Sequence, residues 1–202
     1  MKRCVIAGAG DILPGDIPEK RSGELWIAAD GGSRALEDAG IVPDLFIGDL
    51  DSGGKAPEKV ETVILPTVKD DTDTAAAVKA GFERGYTEFY LLGCLGGKRL
   101  SHTVANLELL SYIKIRGGNG VIVCGKTRVT LLAAGETADI ATKGYFSLFP
   151  TGEEAVVSVS GAKYSGGEIT LSRLFPLGVS NETESGAAVT VKIGEVFVIV
   201  EE

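Results

Sequence analysis

Three aspartate clusters within the first 75 residues pose the chemical question: Ala29-Asp30-Gly31-Gly32, Gly48-Asp49-Leu50-Asp51-Ser52 and Lys69-Asp70-Asp71-Thr72-Asp73. Asp49 and Asp51 are two positions apart, a spacing that in extended backbone sends both carboxylates to one side. Such a pair repels unless a proton or a cation lies between its members. Magnesium takes oxygen ligands in octahedral geometry, commonly one or two carboxylates, several waters and the phosphates of a nucleotide. Glycines at positions 31, 32 and 48 would let phosphate oxygens approach the backbone closely. The combination points to phosphoryl or pyrophosphoryl transfer, in which catalysis is mostly positioning and charge neutralisation. Each piece also has a plainer reading. Asp-Gly-Gly is commonly a turn, and Thr72 or Asp73 would serve equally to cap a following helix. Three acidic strand ends in one sheet favour the metal site.

A fourth segment, Leu92-Gly93-Cys94-Leu95-Gly96-Gly97-Lys98-Arg99-Leu100-Ser101-His102, is a glycine-rich loop carrying two cations into a helix. Loops of this kind bind anions through exposed N–H groups, and Lys98 or Arg99 would contact a phosphate. The spacing is not that of a P-loop, and Gly8-Ala9-Gly10-Asp11 does not complete a dinucleotide fingerprint. His102 is the only histidine, which excludes a histidine-based metal centre; a lone histidine at a helix start is more often a hydrogen-bonded structural residue than a base.

The elements that must position these residues follow from hydrophobic pattern. Up to residue 126, short β-rich runs alternate with helical segments: strands at Cys4 to Ala7, Leu25 to Ala29, Leu45 to Ile47, Thr62 to Leu65, Phe89 to Leu92 and Val121 to Cys124, and helices at Gly32 to Ala39, Asp73 to Arg84 and His102 to Arg116. The pattern predicts a doubly wound, Rossmann-like parallel sheet over residues 1–126, whose ligands would bind beyond the carboxyl ends of the strands. Over residues 127–202 no helical period persists, and short strands separated by glycine-rich turns predict a small antiparallel β-sandwich domain. The fold class is therefore α/β plus all-β.

With 202 residues and 44% apolar content, the chain buries a core without disulfides or a structural metal. Cys4, Cys94 and Cys124 are odd in number, far apart and set in apolar surroundings, so they read as buried thiols of a reducing compartment. The apolar run after Lys2 and Arg3 is too short for a signal segment or membrane span, and a cytoplasmic location is expected. A net charge of −8 argues against nucleic acid as a partner.

These motifs together, in this order, resemble those of the thiamine pyrophosphokinases. Asp30-Gly31-Gly32, Gly48 to Ser52, Lys69 to Asp73 and the loop ending in Arg99 and His102 are similar to the family's four N-terminal motifs; Ser147-Leu148-Phe149-Pro150, Gly161-Ala162-Lys163-Tyr164 and Val179-Ser180-Asn181-Glu182 are similar to its later ones. The resemblance implies an ATP:thiamine diphosphotransferase yielding thiamine diphosphate and AMP, with magnesium as cofactor. It further implies a homodimer in which thiamine sits between the α/β domain of one subunit and the β domain of the other. By the same resemblance Asp49, Asp51 and Asp73 are magnesium ligands, and Asp70 and Asp30 assist or position water. Gly31, Gly32, Lys69, Thr72, Gly97, Lys98, Arg99 and His102 are substrate-binding, with Arg99 on phosphate; Ser180 and Asn181 meet thiamine, and one aspartate accepts the hydroxyl proton. The family's loop usually reads Gly-Gly-Arg-x-Asp-His; here Lys98 is inserted and Ser101 stands where Asp is expected. Ser101 is read as the N-cap of the following helix, a position Ser and Asp fill about equally well. Two other readings share the acidic clusters: a pyrophosphokinase acting on a pterin-type alcohol, and a non-catalytic nucleotide- or thiamine-binding regulator. A nucleotide-sugar enzyme would leave the C-terminal motifs unexplained.

Overall fold

Apolar β-rich runs and glycine-punctuated helices assemble, in a computed structural model describing residues 2–49, 57, 60–66, 71–97, 99–141 and 143–201, into two compact units, Met1–Gly125 and Lys126–Glu202. In the first unit, β1 (Arg3–Ala7), β2 (Leu25–Ala29), β3 (Leu45–Gly48), β4 (Glu61–Ile64), β5 (Glu88–Leu92) and β6 (Asn119–Cys124) pair in parallel in the order β6-β5-β1-β2-β3-β4. The inner strands β1 and β2 are almost entirely buried, which accounts for their unbroken apolar runs. Edge strand β4 is exposed along its length. Successive strands step away from β1 on one side through β4, and β5 restarts on the other side, so the strand order reverses between β1 and β5.

Helices cover both faces. Leu36 of α1 (Gly32–Asp38) packs with Val5, Ala7, Trp26, Ala28, Phe46, Leu92 and Val123. On the opposite face, Gly81 of α2 (Asp73–Glu83) lies so near the sheet that a Cβ there would come within 2.7 Å of the Phe89 ring, and Leu110 and Ile113 of α3 (Leu100–Ile115) fill the space above Gly120. Each helix is followed by a glycine of positive φ, Gly40, Gly85 or Gly117, the left-handed conformation that ends helices at little steric cost.

The second unit is all strand. β7 (Thr127–Ala133), β9 (Gly144–Pro150), β12 (Asn181–Thr183) and β14 (Glu195–Glu201) form an antiparallel sheet in the order β12-β9-β14-β7. β8 (Thr137–Ile140), β10 (Glu154–Ser160), β11 (Gly166–Ser172) and β13 (Ala187–Ile193) form another in the order β11-β10-β13-β8. Phe146, Leu148, Val196 and Val198 of the first share one core with Ala155, Val157, Leu171, Val189 and Val191 of the second.

Several sequence expectations are corrected here. β8, β11 and β12 were not anticipated: each is short or polar, and β11 buries only Leu171 while pairing along one edge. The Ile193-Gly194-Glu195 turn, with Gly194 at φ 81°, passes the chain from one sheet to the other, since β13 pairs with β10 and β8 whereas β14 pairs with β7 and β9. Ser101 is not a cap. α3 begins at Leu100, and extended Arg99 (φ −120°, ψ 93°) is its N-cap, with no side-chain hydrogen bond.

Candidate functional site

The carboxyl ends of β1, β2, β3 and β5 carry the loops that matter. Gly8 N donates to Leu92 O (2.8 Å) and Gly10 N to Gly93 O (2.9 Å), joining the loops after β1 and β5 at the point where strand order reverses. Side chains are excluded from this junction: a Cβ on Gly10 would lie 2.5 Å from Gly93 O, and one on Gly93 would lie 2.6 Å from Gly8 O. Such reversals leave a crevice that open α/β sheets use for ligands.

Beside it, Asp30 follows β2 in a left-handed conformation (φ 47°) with its N–H donated to Ile47 O at 2.8 Å. Aspartate tolerates this conformation better than most side chains do. The carbonyl of Asp30 accepts from both Ser33 N (3.2 Å) and Ser33 Oγ (3.1 Å), which ties it to the start of α1. Asp49 leaves β3 next door, where a Cβ on Gly48 would come 3.2 Å from Asp30 Cα. The ends of β2 and β3 therefore abut, and Asp30 and Asp49, both partly exposed, belong to one edge.

Asp73 opens α2. Thr72 caps that helix by accepting from Ala75 N (3.1 Å), and Lys79 donates to Asp71 at 2.6 Å, holding the approach to it. Buried Thr74 sets Oγ1 3.4 Å from the place a Cβ on Gly8 would take, so the start of α2 meets the β1 loop. On the other side, Asn106 Nδ2 donates to Cys94 O (3.0 Å) and Thr103 Oγ1 to Gly96 O (3.2 Å), pinning the glycine loop to α3. Gly97 has φ 77°, Arg99 is exposed, and His102 is half-buried in the first turn of α3.

Asp30, Gly31, Gly32, Asp49, Thr72, Asp73, Gly97, Arg99 and His102 thus lie on loops and helix starts at the carboxyl edge of one sheet. Asp51, Lys69, Asp70 and Lys98 lie outside the described residues. Two glycines also serve packing. Gly32 is buried with a would-be Cβ 1.9 Å from Ala7 O, so its lack of a side chain serves the packing of α1 on β1; Gly48 is likewise closed in by Asp30 and the Phe46 ring. Carboxylates are hard oxygen donors and fit a magnesium-type cation. Among the described residues no three acidic, histidine or cysteine groups converge to hold a metal, and the expected shell draws on Asp51.

In the second unit, Ser180 also has positive φ (56°) and its N–H donates to Ser147 Oγ at 3.0 Å; it lines an open groove with Lys143, Gly144, Tyr145 and Glu201. Asn181, expected at a ligand, is buried and spends its amide on the backbone: Oδ1 accepts from Tyr164 N and Glu182 N, and Nδ2 donates to Tyr164 O. Cys4, Cys94 and Cys124 are free thiols. Burial pushes the Cys94 thiol up to about 12, so it stays protonated and inert. Sequence reasoning missed Thr74, Asn106 and Asp16; the available signal was a polar residue that interrupts an apolar run or turn and is buried.

The description of the catalytic domain of thiamin pyrophosphokinase matches residues 19–121, a span that contains Asp30, Asp49, Asp73 and the Gly93–Gly97 loop. The chain is 28% identical over 193 residues to a thiamine pyrophosphokinase of Bacillus subtilis (strain 168), covering 88% of this chain and 87% of that protein. A thiamin pyrophosphokinase structure from Geobacillus thermodenitrificans superposes with TM-score 0.82 at 26% identity, covering 100% of this chain and 98% of that one. The crystal structure of the Bacillus subtilis protein gives TM-score 0.87 at 24% identity, covering 100% and 99%, and shares the mixed, sheet-rich fold with few helices. The family description thus takes in the ends of β2, β3 and β5 with Asp30 and Asp49, and the start of α2 with Asp73, and the chain belongs to the thiamin pyrophosphokinase family.

Proposed function

We propose that the protein transfers the pyrophosphoryl group of ATP to thiamine. The thiamine hydroxyl oxygen would form a bond to the β-phosphorus as the bond from that phosphorus to the oxygen bridging to the α-phosphorus breaks, releasing AMP. The observation that carries this reading is the carboxyl edge of the parallel sheet, where side-chain-free backbone at Gly8, Gly10 and Gly93 adjoins the Asp30 and Asp49 strand ends. Backbone that carries no side chain lets phosphate approach closely, and carboxylates suit the cation that accompanies it. Asp49, Asp51 and Asp73 would hold magnesium, with Asp30 and Asp70 assisting. The ion would neutralise charge on the phosphates as the bond to the leaving group breaks.

The residues themselves divide the remaining work. Arg99, exposed at the start of α3, would bind phosphate. Asp30, fixed through Ser33 and Ile47, would orient a water or accept a proton. One of the aspartates takes the hydroxyl proton, because a carboxylate within reach of the attacking oxygen is the base this edge offers. The unit Met1–Gly125 would hold ATP and the metal, while Lys126–Glu202 would supply thiamine contacts, with Ser180 touching the ligand and Asn181 shaping the Tyr164 backbone nearby.

A homodimer is part of this reading. Leu174 (95% exposed), Phe175, Leu177 and Val179 present apolar side chains from one short stretch, the kind of patch a partner covers. No helix among the described residues is long and apolar enough to cross a membrane, and free thiols suit the reducing cytoplasm. Incubation with ATP, magnesium and thiamine should yield AMP and thiamine diphosphate in equal amounts. AMP formed at the same rate without thiamine, or no thiamine diphosphate at all, would reject the assignment.

A further inference from the structure

Gly8-Ala9-Gly10-Asp11 matches no dinucleotide fingerprint, and the phosphate contact proposed for its glycines needs a restraint that holds the segment in place. Its surroundings supply one. After β1 the chain runs over the end of β5, where Gly10 N bonds to Gly93 O, and on to the end of β6, where a Cβ on Gly125 would touch Leu13 Cδ1 at 3.3 Å. There Asp16 closes the path. Only 4% exposed, its carboxylate accepts from Leu13 N through Oδ2 (3.0 Å) and from Gly125 N, 109 positions away in sequence, through Oδ1 (2.8 Å). Asp16 N in turn donates to Leu13 O at 2.9 Å.

We propose that Asp16 is a positioning residue that straps the Gly8–Leu13 segment across the carboxyl ends of β5 and β6, holding the Gly8 and Gly10 backbone as one wall of the nucleotide-phosphate cradle. The inference rests on the ATP reading above. Aspartate is required for a definite chemical reason. Both partners of the side chain are donors, and a carboxylate accepts on both oxygens, whereas asparagine offers one acceptor and turns an NH2 group toward the other N–H. Buried, that mismatch leaves two donors facing each other. Asp16 touches no ligand; it acts through the loop.

The test uses the full chain with three substitutions: Asp16→Asn, Leu13→Pro and, as a control for general loss of stability, Ile113→Val beneath α3. Leu13 is half exposed, and its φ of −83° is close to that of proline, so Leu13→Pro deletes one donor to Asp16 with little other disturbance. Binding of ATP with magnesium is measured by calorimetry, and backbone exchange by mass spectrometry. Both strap variants should raise the ATP dissociation constant, Asp16→Asn by at least about tenfold over the control, and should speed exchange only in residues 8–16 and at Gly125. ATP binding within about twofold of wild type in both, or faster exchange spread evenly over the unit as in Ile113→Val, overturns the inference. Should Asp16→Asn fail to fold, Leu13→Pro decides. A wild-type chain that binds no ATP overturns the nucleotide reading and this inference with it, whereas wild-type binding that the strap variants keep overturns this inference alone.

Discussion

Asp49 leaves the last residue of β3 at the strand end that abuts Asp30, and the proposed chemistry needs its charge more than its shape. Asp49→Asn preserves size but replaces a carboxylate by an amide that binds magnesium weakly. It should lower kcat/KM at limiting magnesium at least about tenfold, a barrier change of roughly 1.4 kcal/mol, with an unchanged circular dichroism spectrum. Near-normal turnover would remove Asp49 from the metal shell. Glu24 shows the opposite use of a carboxylate. Burial opposes its ionisation, but it is outweighed by hydrogen bonds from Arg21 N (3.0 Å), Trp26 Nε1 (3.1 Å) and Arg3 Nε (2.8 Å), so its pKa falls below the ordinary value of 4.5. A depressed folded pKa means stability that is present above the unfolded pKa and lost as pH falls through the folded one. Glu24→Gln should therefore cost about 1–2 kcal/mol at pH 7 and progressively less below pH 4.5. A pH-independent difference in melting temperature would refute the assignment.

Elements, not single groups, decide two further outcomes. The start of α1 lies directly on β1, with a would-be Cβ of Gly32 1.9 Å from Ala7 O. A backbone carbonyl in a central strand cannot swing aside as a long side chain can, so Gly32→Ala must move the helix. The expected cost is about 3 kcal/mol or more, together with displacement of the adjoining Asp30; denaturant midpoints unchanged from wild type would contradict the packing. At α3 the first turn holds no acidic residue, and Ser101 lies inside it behind the Arg99 cap. Ser101→Asp should then add about 0.3–1 kcal/mol through the helix dipole with turnover nearly unchanged. Ser101→Ala should cost well below the ~1 kcal/mol of a lost N-cap. A tenfold rise in turnover for Ser101→Asp, measured with saturating substrates, would instead place that position in the chemistry.

For the whole molecule, the exposed apolar stretch around Leu174 and Phe175 ties the proposed dimer to activity. If thiamine is bound by Ser180 of one subunit and worked on by the aspartates of its partner, Ser180→Trp and Asp49→Asn chains should each be inactive alone. Mixed and refolded together, they should recover up to about a quarter of wild-type activity, because hybrid dimers keep one intact site. No recovery in verified hybrid dimers, or full activity from a monomeric species, would reject the shared site.

Much of this was readable from residue order. The alternation of buried runs and helical periods identified all six described parallel strands and three helices of the first unit, since inner parallel strands are apolar throughout. The places of Asp30 and Asp49 at the ends of β2 and β3, and of Asp73 at the start of α2, followed from the same pattern, because their spacing from those elements is local. β8, β11 and β12 were not readable: short edge strands with few buried positions carry almost no periodic signal. Nor were the packing of Gly32, the backbone hydrogen bonds of Asn181 or the place of Ser101. Whether a glycine accommodates a phosphate or a neighbouring carbonyl, and whether an amide meets a ligand or the Tyr164 backbone, depends on atoms far away in the chain. The carboxylate of Asp16, linking Leu13 to Gly125, is the clearest instance. Sequence determined which residue types stand at the strand ends; only the tertiary structure decided which of them face one another, because hydrogen bonds and steric contacts between distant segments arise only when the sheet brings its strand ends to one edge.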